Sequence, residues 1–400
     1  MVRLPPRLRP LFPLLKPAYV ATTRALAPVT TQLSKARGGW LPTGSVATME
    51  QAAASTGGRC QVARPAEVIS RPATIPGSPP GLPLSESSEG NHVGRVAVAE
   101  LPRGRVLGPH RAIITGDNEL LHEISWYFGT SRPHEHPLYL NPFPPDPLEV
   151  RGRLGLLAAR GDGNYYHFLH DVIPRLGVLE QCPDIAPPER WYVPVHTHFH
   201  QQLLDLVGIT PDQRVDADAH PHVRADCLVV PGVPAMIEKN PPWVVQFLRE
   251  RLLPKAGPVE PGPPIYVTRG PSANNRTVLN EASVLALLTE RGFVAVDPGR
   301  LSVVVQIRAF GAAPVIVAPH GAALANLAFA SPGSAVIELF PAGCLLPDFW
   351  RMACGVPGLD YRYLSAPGGP AHPTRARTII LDIEVDLGAL TRLLDDVAQA

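Results

Sequence analysis

The chain has 400 residues, a formal net charge of +1 and 45% hydrophobic residues. This length predicts two domains rather than one. The balanced charge gives no general attraction to nucleic acid, so we expect no nucleic-acid partner. Because no run of about 18 apolar residues is present, a membrane-spanning helix is not expected. Five scattered cysteines without C-x-x-C spacing argue against a disulfide framework and a thiolate zinc site, and favour a reducing, cytoplasmic location.

Residues 1–90 are rich in Pro, Ala, Ser, Thr and Gly and show no sustained apolar period. Such a segment cannot bury enough surface to offset the entropy that it would lose on ordering. The basic start resembles a signal peptide, but five prolines interrupt the apolar core that a signal peptide needs. We therefore predict a leader that is disordered, irregular or surface-lying. This interpretation leaves peripheral association with the inner face of the membrane open.

Short apolar runs alternate with helical patterns over residues 91–253, which predicts an N-terminal α/β domain. The strand candidates are residues 154–159, 191–195 and 227–230, and the helix candidates are residues 165–176, 199–207 and 243–253. Five prolines and two glycines in residues 254–264 then predict a stiff linker between domains.

Beyond that linker the alternation is cleaner and predicts a C-terminal α/β domain over residues 265–385. The strand candidates are residues 265–268, 293–296, 314–318, 335–340 and 378–383. The helix candidates are residues 281–291, 302–311, a short segment after Gly321, residues 349–354, and a C-terminal helix within residues 386–400. Because strand–helix alternation produces parallel sheets with right-handed crossovers, we predict an α/β fold with two doubly wound domains.

Polar residues accompany three strand candidates of the C-terminal domain. Arg269 follows the first, His320 and Gly321 follow the third, and Glu338 lies near the end of the fourth. Ligands of doubly wound sheets bind at the carboxyl ends of strands, so we expect one ligand site here. Amides from Ala322 onward would hold a diphosphate, Arg269 would pair with phosphate, and Glu338 would accept ribose hydroxyls. The alternative is an ordinary strand-to-helix turn with a surface ion pair.

The N-terminal domain carries one dense polar cluster on a predicted helix. At about 100° per residue, Asn164, His167, Asp171 and Arg175 share one face, while His170 lies apart from them. Asp171 is one helical turn from His167, close enough to tune its pKa or orient its ring. The alternative is an ordinary solvated helix face on which Asn164 is the N-cap.

Metal-ligand patterns are weaker. His196, His198 and His200 alternate as residues of a strand edge do, and Asp216 with Asp218 forms an Asp-x-Asp pair. The aspartates lie in a predicted loop rather than at a strand end. We therefore expect no metal site.

Three groups of these residues resemble the motifs of glycosyltransferase family sixty-one, which includes proteins similar to those of capsular-polysaccharide biosynthesis. The motifs are, in chain order, residues 164–176, residues 266–269 with Arg276, and residues 318–326 with residues 336–339. Their order and spacing agree with the family, and the third motif is nearly complete. The resemblance adds Arg276 and Asn326 to the predicted donor site.

The resemblance implies two Rossmann-like domains that face a cleft in a GT-B-like fold, an inverting mechanism, and no required metal or other cofactor. The donor would be a nucleotide-sugar such as UDP-linked N-acetylglucosamine or xylose, and the acceptor would be a glycan. The donor-binding residues would be Arg269, Arg276, His320, Gly321, Ala322, Asn326 and Glu338. Asp171 is the first choice for the base and His167 the second, with Asn164, His170 and Arg175 as acceptor-side or supporting residues. The sequence does not define the oligomeric state.

Two other classes of function compete with a transferase in capsular or cell-surface polysaccharide synthesis. One is a non-catalytic nucleotide-binding scaffold within polysaccharide assembly. The other is a nucleotide-sugar hydrolase that uses the histidine and aspartate cluster with a metal ion. Binding of UDP without transfer of a sugar would indicate the first, and loss of activity in EDTA would indicate the second.

Overall fold

A computed structural model describes residues 12–71, 74–75, 84–85, 91–127, 129–234, 239–270, 276–368 and 381–399. The chain divides into two compact units. The N-terminal unit comprises Leu11–Glu67 and Gly94–Pro234, and the C-terminal unit includes Val68–Val93 and Ala235–Ala400. The last change from one unit to the other thus falls at Pro234. The proline-rich segment predicted as a linker lies inside the C-terminal unit.

The N-terminal unit contains mainly strands, with helices at intervals. Its helices are α1 (Phe12–Lys35), α2 (Met49–Thr56), α3 (Tyr165–His167), α4 (Arg175–Glu180) and α5 (His198–Leu206), with a π-helical segment at Phe168–Val172 between α3 and α4. Strands β1 to β14 are Gly44–Val46, Cys60–Arg64, Glu67–Val68, Thr74–Ile75, Leu84–Ser85, His92–Val93, Val96–Pro102, Arg105–Leu107, Ala112–Ile114, Glu119–Leu121, Leu148–Leu156, Arg190–Val193, Arg214–Asp216 and His222–Pro231. Of these, β4, β5 and β6 lie in Val68–Val93 and so belong to the C-terminal unit. Strand β3 pairs with β6, and β4 pairs with β5, in separate two-stranded ribbons.

The ten-stranded sheet of this unit is mixed. Its order is β1-β10-β9-β8-β14-β11-β12-β13, and β7 also pairs with β14 and with β2. Strands β14, β11, β12 and β13 are parallel, whereas β7 and β8 run antiparallel to β14. The prediction of a doubly wound parallel sheet therefore holds only for these four strands. The sequence patterns did not predict the antiparallel half of the sheet, because its strands are short and are joined by tight turns without intervening helices.

Residues before 90 are more ordered than predicted. Helices α1 and α2 lie there, β1 extends the main sheet beside β10, and β2 pairs with β7. We predicted no helix for α1, because its buried positions hold small residues rather than large apolar ones, namely Thr23, Ala27, Thr30 and Ser34. Packing against the 3-10 helices Pro133–Glu135 and Pro137–Leu140 stabilises this helix. Within the described residues, no helix is both long enough and apolar enough to span a bilayer.

The C-terminal unit is a parallel α/β structure. Its strands are β15 (Ile265–Val267), β16 (Val294–Val296), β17 (Val315–Pro319), β18 (Ala335–Phe340) and β19 (Asp360–Ser365). Its helices are α6 (Pro242–Ala256), α7 (Glu281–Glu290), α8 (Val303–Ala312), α9 (Asp348–Ala353) and α10 (Leu387–Gln399), with 3-10 helices at Pro298–Arg300 and Ala322–Phe329. The first four strands lie within one residue of their predicted bounds. The predicted strand 378–383 lies partly outside the described residues.

All five strands of this sheet are parallel, in the order β16-β15-β17-β18-β19. If the five strands of this sheet are numbered by their order along the chain, their spatial order is 2-1-3-4-5. This is a doubly wound order, in which the chain reverses its winding between the first and third strands. The reversal opens a crevice at the carboxyl ends of these two strands. Topology alone therefore selects the ends of β15 and β17 as the place for a ligand.

Side-chain caps fix several of the helix starts. The hydroxyls of Thr48, Thr197 and Ser302 accept hydrogen bonds from backbone amides in the first turns of α2, α5 and α8. Such a cap satisfies an amide that has no partner within the helix. These caps position the segments that lead away from the strand ends. All five cysteines are free thiols.

Three buried histidines of the N-terminal unit predict its response to acid. Burial lowers the pKa of His136 to about 3 and the pKa values of His200 and His222 to about 4. In the folded unit each ring stays neutral, whereas in the unfolded chain each ring binds a proton below about pH 6.5. The stability is therefore complete above pH 6.5 and falls by about 1.4 kcal/mol per histidine for each pH unit below it, until the folded pKa is reached. We expect a lower unfolding temperature at about pH 5 than at about pH 7.

The variant His136→Asn provides the control for this prediction. In the native protein, Nδ1 of His136 accepts a hydrogen bond from the Leu138 amide at 3.1 Å. Asparagine offers an acceptor at a similar position but no titratable ring. The unfolding temperature of this variant should fall less steeply with pH. An unchanged pH dependence would show that His136 does not contribute to it.

Candidate active site

The carboxyl ends of β15, β17 and β18 bring together the residues predicted to bind a donor. Arg269 lies two residues beyond β15, His320 directly follows β17, and Glu338 lies within β18. Glu338 pairs with Ala318 in the register of the parallel sheet, two residues before His320. Arg269, His320 and Glu338, which are far apart in sequence, therefore lie at one edge of the sheet, at its reversal point.

Glu338 is fully buried and holds the imidazole of His320. Its Oε1 lies 2.5 Å from Nδ1 of His320, and its Oε2 accepts a hydrogen bond from the hydroxyl of Tyr361 on β19. Burial raises the pKa of Glu338 well above its ordinary value. Since both oxygens have partners and neither reaches solvent, Glu338 orients His320 in this structure. The expected contact between Glu338 and ribose hydroxyls would need a rearrangement, so that role stays a prediction.

The side chain of Arg269 hydrogen-bonds to the backbone that follows β17. Its Nη1 donates to the carbonyl oxygen of His320 at 2.8 Å, and its buried Nε has no hydrogen-bond partner. Burial, and next the nearby positive charge of Arg276, lowers the pKa of Arg269 to about 10. Two guanidinium groups that disfavour each other's charge form a region where an anion would be stabilised.

Gly321 is needed for close approach rather than for an unusual backbone. Its φ of 170° is an extended conformation open to any residue. A Cβ at this position would lie 2.2 Å from Nη1 of Arg269, which is too close for two unbonded heavy atoms. Glycine is required at this position because it leaves room for the guanidinium of Arg269.

The helix after Gly321 is a 3-10 helix, Ala322–Phe329. Amides in the first turn of a helix have no acceptor within that helix, so this end favours an anionic group. Ala322 is partly exposed, whereas Asn326 is fully buried. The side-chain amide of Asn326 donates to Gln306 at 2.9 Å and to the carbonyl oxygen of Ala323 at 3.1 Å. These bonds give Asn326 a structural part in holding the helix, and its direct contact with a donor stays a prediction.

Replacing Gly321 by Ala is expected to displace the guanidinium of Arg269 and break its bond to His320. The loss of a charge-assisted hydrogen bond should lower the free energy of unfolding by about 1.5–3 kcal/mol, measured by urea denaturation. Gly388→Ala in α10 is the matched control, because the nearest atom to its added Cβ is Oδ1 of Asp386 at 3.4 Å. Equal stability of the two variants would contradict the contact requirement.

In the N-terminal unit, His167 and Asp171 form the predicted pair. Nδ1 of His167 lies 2.7 Å from Oδ2 of Asp171, and the side chains are 26% and 10% exposed. The second oxygen of Asp171, Oδ1, is buried without a hydrogen-bond partner. The imidazole of His167 is therefore the more accessible of the two groups, and the carboxylate of Asp171 holds it in position.

The π-helical segment Phe168–Val172 separates other members of the predicted polar face. Each turn of a π-helix holds one residue more than an α-turn, so later side chains rotate away from their predicted positions. Arg175 is buried, and its Nε donates to the backbone carbonyl oxygen of Asp171 at 3.0 Å. His170 is fully buried and stacks on Tyr166, with ring centroids 5.1 Å apart. The four-residue polar face predicted with a helical period of 3.6 is therefore not formed.

Asn164 takes the position of the helix cap. Its side-chain oxygen accepts a hydrogen bond from the Tyr166 amide at 2.9 Å, which starts α3 one turn before the π-helical segment. This is the structural alternative that the sequence left open for Asn164. The cap sets where α3 begins and thereby orients His167.

A charged network that the sequence did not predict supports this loop. Nε of Arg111 lies 2.9 Å from Asp162, and Nη2 of the same guanidinium lies 2.7 Å from Asp218. Asp218 in turn lies 2.5 Å from Nδ1 of His196. Asp162, His196 and Asp218 follow the adjacent parallel strands β11, β12 and β13, so their common strand-end position was the available signal.

The network places charged groups beside the candidate catalytic histidine. A Cβ on Gly161 would lie 3.1 Å from Cδ2 of His167, and a Cβ on Gly163 would lie 3.9 Å from Nε2 of His196. Both imidazoles therefore flank the same short loop. His196 and Asp218, which were discounted as metal ligands, lie within hydrogen-bond distance of each other at the edge where the acceptor side of the site was predicted.

The sequence matches the protein family described as Glycosyltransferase 61 over residues 165–337. That range contains His167, Asp171, Arg269 and His320, and it ends one residue before Glu338. The mixed α/β fold and these strand-end groups fit the class of sugar-transferring enzymes. Residues 165–337 therefore form a glycosyltransferase family 61 domain, as the motifs predicted.

A similarity to a curated protein agrees with this assignment. The chain is 31% identical over 106 residues to "Protein O-linked-mannose beta-1,4-N-acetylglucosaminyltransferase 2" of Tetraodon nigroviridis. The match covers 25% of this chain and 18% of the relative. The chain thus spans less than a fifth of the length of this relative.

Proposed function

We propose that the protein transfers a sugar from a nucleotide diphosphate donor to a hydroxyl group of a glycan, with inversion at the anomeric carbon. The observation that supports it best is the pairing of Arg269 with the backbone of His320 at the reversal point of the C-terminal sheet. This is the position at which doubly wound sheets bind nucleotides. The GT-B-like arrangement implied by the family resemblance belongs to the same proposal.

The donor diphosphate would lie against Arg269, Arg276 and the first amides of the helix that follows Gly321. In this proposal the two guanidinium groups, rather than a metal ion, balance the charge that develops on the departing nucleotide. His320, oriented by Glu338, would donate a hydrogen bond to a phosphate or sugar oxygen. Glu338 then contributes through His320 without touching the donor.

The acceptor would be activated by the His167–Asp171 pair. His167 would remove the proton of the acceptor hydroxyl, and the oxygen would attack the anomeric carbon as the bond to the diphosphate breaks. Asp171 would stabilise the imidazolium that results, since its carboxylate lies 2.7 Å from Nδ1. The greater exposure of His167 makes it our choice for the base, with Asp171 as the residue that positions it.

A UDP-linked sugar is the donor that we propose, with N-acetylglucosamine the first to test because the Tetraodon relative is named for its transfer. The family resemblance supports UDP, and a role in cell-surface or capsular polysaccharide synthesis in the cytoplasm belongs to the same proposal.

Calorimetric titration of UDP-, GDP- and CMP-sugars with EDTA present tests this function, followed by a transfer assay with glycan acceptors. Binding of a UDP-sugar and transfer in EDTA would support the proposal. Binding without transfer to any acceptor would indicate a nucleotide-binding scaffold. Hydrolysis that EDTA abolishes would indicate a metal-dependent hydrolase, and binding of GDP- or CMP-sugars alone would exclude the UDP donor.

A further inference from the structure

Three arginines line a cavity in the N-terminal unit. The cavity has a volume of about 210 Å³, and its walls include Arg103, Arg105 and Arg224 together with Trp40 and Asn118. None of the described residues that line it is acidic. Because one water molecule needs only about 10–15 Å³ of such volume, the cavity has room for a larger molecule. It therefore has the size and the charge of a site for a small anion.

Two of these arginines face each other across the sheet. Arg105 on β8 is the register partner of Arg224 on the antiparallel strand β14. Side chains of directly opposed residues lie on the same face of a sheet, and like charges in such a pair destabilise it. Both guanidinium carbons lie 5.4 Å from the centroid of the Trp40 ring. The fold thus holds two positive charges side by side on one wall of the cavity.

Arg105 is buried without a carboxylate partner. It is 4% exposed, and its Nη1 donates to the carbonyl oxygen of Trp40 at 3.0 Å and lies 3.1 Å from Nε2 of His222. Its Nη2 donates to the side-chain oxygen of Asn118. Each partner is neutral, since burial lowers the pKa of His222 to about 4. Burial, and next the positive charge of Arg224, lowers the pKa of Arg105 to about 10. A buried charge normally has an opposite charge beside it, yet in the described part of the chain Arg105 forms no ion pair.

Another arginine of the same unit shows the usual arrangement. Arg111 is also 4% exposed, and its guanidinium lies 2.9 Å from Asp162 and 2.7 Å from Asp218. These two carboxylates balance the buried charge of Arg111. At Arg105 the corresponding negative charge is missing.

Two acidic residues beside the cavity have other partners. Glu149 binds Arg224 through both carboxylate oxygens, at 2.6 and 3.0 Å. Asp146 accepts a hydrogen bond at 2.8 Å from the indole nitrogen of the cavity wall. Arg103 is exposed and forms no ion pair with any described residue. The charge of Arg224 is thus balanced by Glu149, whereas the other two arginines leave two positive charges unbalanced at the cavity.

We propose that this cavity binds a phosphate group, either as free phosphate or as part of a small molecule. A phosphate monoester carries a charge of about −1.5 to −2 near pH 7, which matches the two unbalanced guanidinium groups. Its oxygens also accept the paired hydrogen bonds that a guanidinium group donates. A carboxylate would balance only one of the two charges.

The cavity is separate from the site at which sugar transfer is proposed. It lies near the starts of β11 and β14, whereas the predicted acceptor side lies at the carboxyl ends of β11, β12 and β13. The inference therefore does not depend on the proposed transfer reaction.

Calorimetric titration of the full chain with inorganic phosphate and with glucose 1-phosphate tests the proposal, at low ionic strength because salt screens the arginines. Both ligands should bind, and tryptophan fluorescence should change as they do, because Trp40 forms part of the wall. Trp40→Phe should remove this change while phosphate still binds. Tighter binding of glucose 1-phosphate would indicate a small phosphorylated molecule as the ligand, and equal binding would indicate free phosphate. Binding of glucuronate but of neither phosphate compound would overturn the proposal.

Two variants test whether the phosphate lies in the cavity. Arg103→Gln and Arg224→Gln should each weaken phosphate binding by more than about tenfold, because each removes a charged hydrogen-bond donor. Arg105 is left unchanged because its side chain also holds the backbone of Trp40. The matched control is Arg151→Gln, which changes an exposed arginine of the same unit that does not line the cavity. It should bind phosphate as the unchanged protein does.

Unfolding temperatures of all variants, measured without phosphate, check that each variant is folded. Wild-type phosphate affinity in both Arg103→Gln and Arg224→Gln would overturn the proposal. Phosphate binding that is lost only in Arg269→Ala would also overturn it, because the ligand would then lie in the C-terminal unit. Neither cavity variant should change the affinity for a nucleotide-sugar, so failure at one site is distinguishable from failure at the other.

Discussion

Replacing His167 by Ala is expected to lower the rate of sugar transfer by about a hundred- to ten-thousand-fold, the usual contribution of a general base. Asp171→Asn should cost a comparable factor, because the carboxylate that lies 2.7 Å from Nδ1 of His167 would no longer stabilise the imidazolium. Both variants should bind the nucleotide-sugar normally, because neither residue is part of the proposed donor site. The measurements are kcat from initial rates and donor affinity from calorimetry.

The pair of variants also distinguishes the two roles. If Asp171 acts through His167, then adding Asp171→Asn to His167→Ala should cause almost no further loss of kcat. The dependence of kcat/KM on pH should shift in Asp171→Asn and disappear on its acidic side in His167→Ala. Asp184→Asn, an exposed aspartate of the same unit, is the control and should retain full activity. Full rates in both His167→Ala and Asp171→Asn would rule out this pair as the catalytic base.

Replacing Arg269 by Ala is expected to weaken donor binding by about 10- to 150-fold, which corresponds to the loss of a charge-assisted hydrogen bond worth about 1.5–3 kcal/mol. The effect should appear in the Kd of the nucleotide-sugar and of the free nucleoside diphosphate alike. It should be smaller for the nucleoside monophosphate, which lacks the second phosphate. Calorimetry with the three ligands measures these differences.

A control for this variant exists in the same unit. Arg300 is 76% exposed and pairs with Asp297, so Arg300→Ala removes an arginine without touching the proposed site. It should bind the donor as the unchanged protein does. If Arg269→Ala lowered the free energy of unfolding but left the Kd unaltered, Arg269 would only stabilise the backbone at His320, and the donor would bind elsewhere.

Local sequence determined much of the C-terminal unit. The strands Val315–Pro319 and Ala335–Phe340 are continuous apolar runs bounded by turns, as buried parallel strands are. Their alternation with helices specified a parallel sheet, and strand ends are the usual ligand positions. The motifs identified the family from the same residues.

Contacts between residues distant in sequence were decided only by the tertiary structure. Tyr361 contacts Glu338 because β19 pairs with β18. The sequence of neither strand alone predicts the register of this pairing. The π-helical segment Phe168–Val172 changes the direction of later side chains, which a period of 3.6 does not predict. The antiparallel half of the N-terminal sheet, built from strands of three to ten residues, is likewise set by pairing rather than by composition.

Helix α1 shows most clearly what the sequence determined and what it did not. The sequence by itself determined its basic charge, but it predicted no helix there. Only the tertiary structure decided that a helix forms and that Thr23, Ala27, Thr30 and Ser34 face the protein. The physical reason is that small side chains allow the helix to approach the 3-10 helices closely, and that close packing stabilises it more than its own periodicity does.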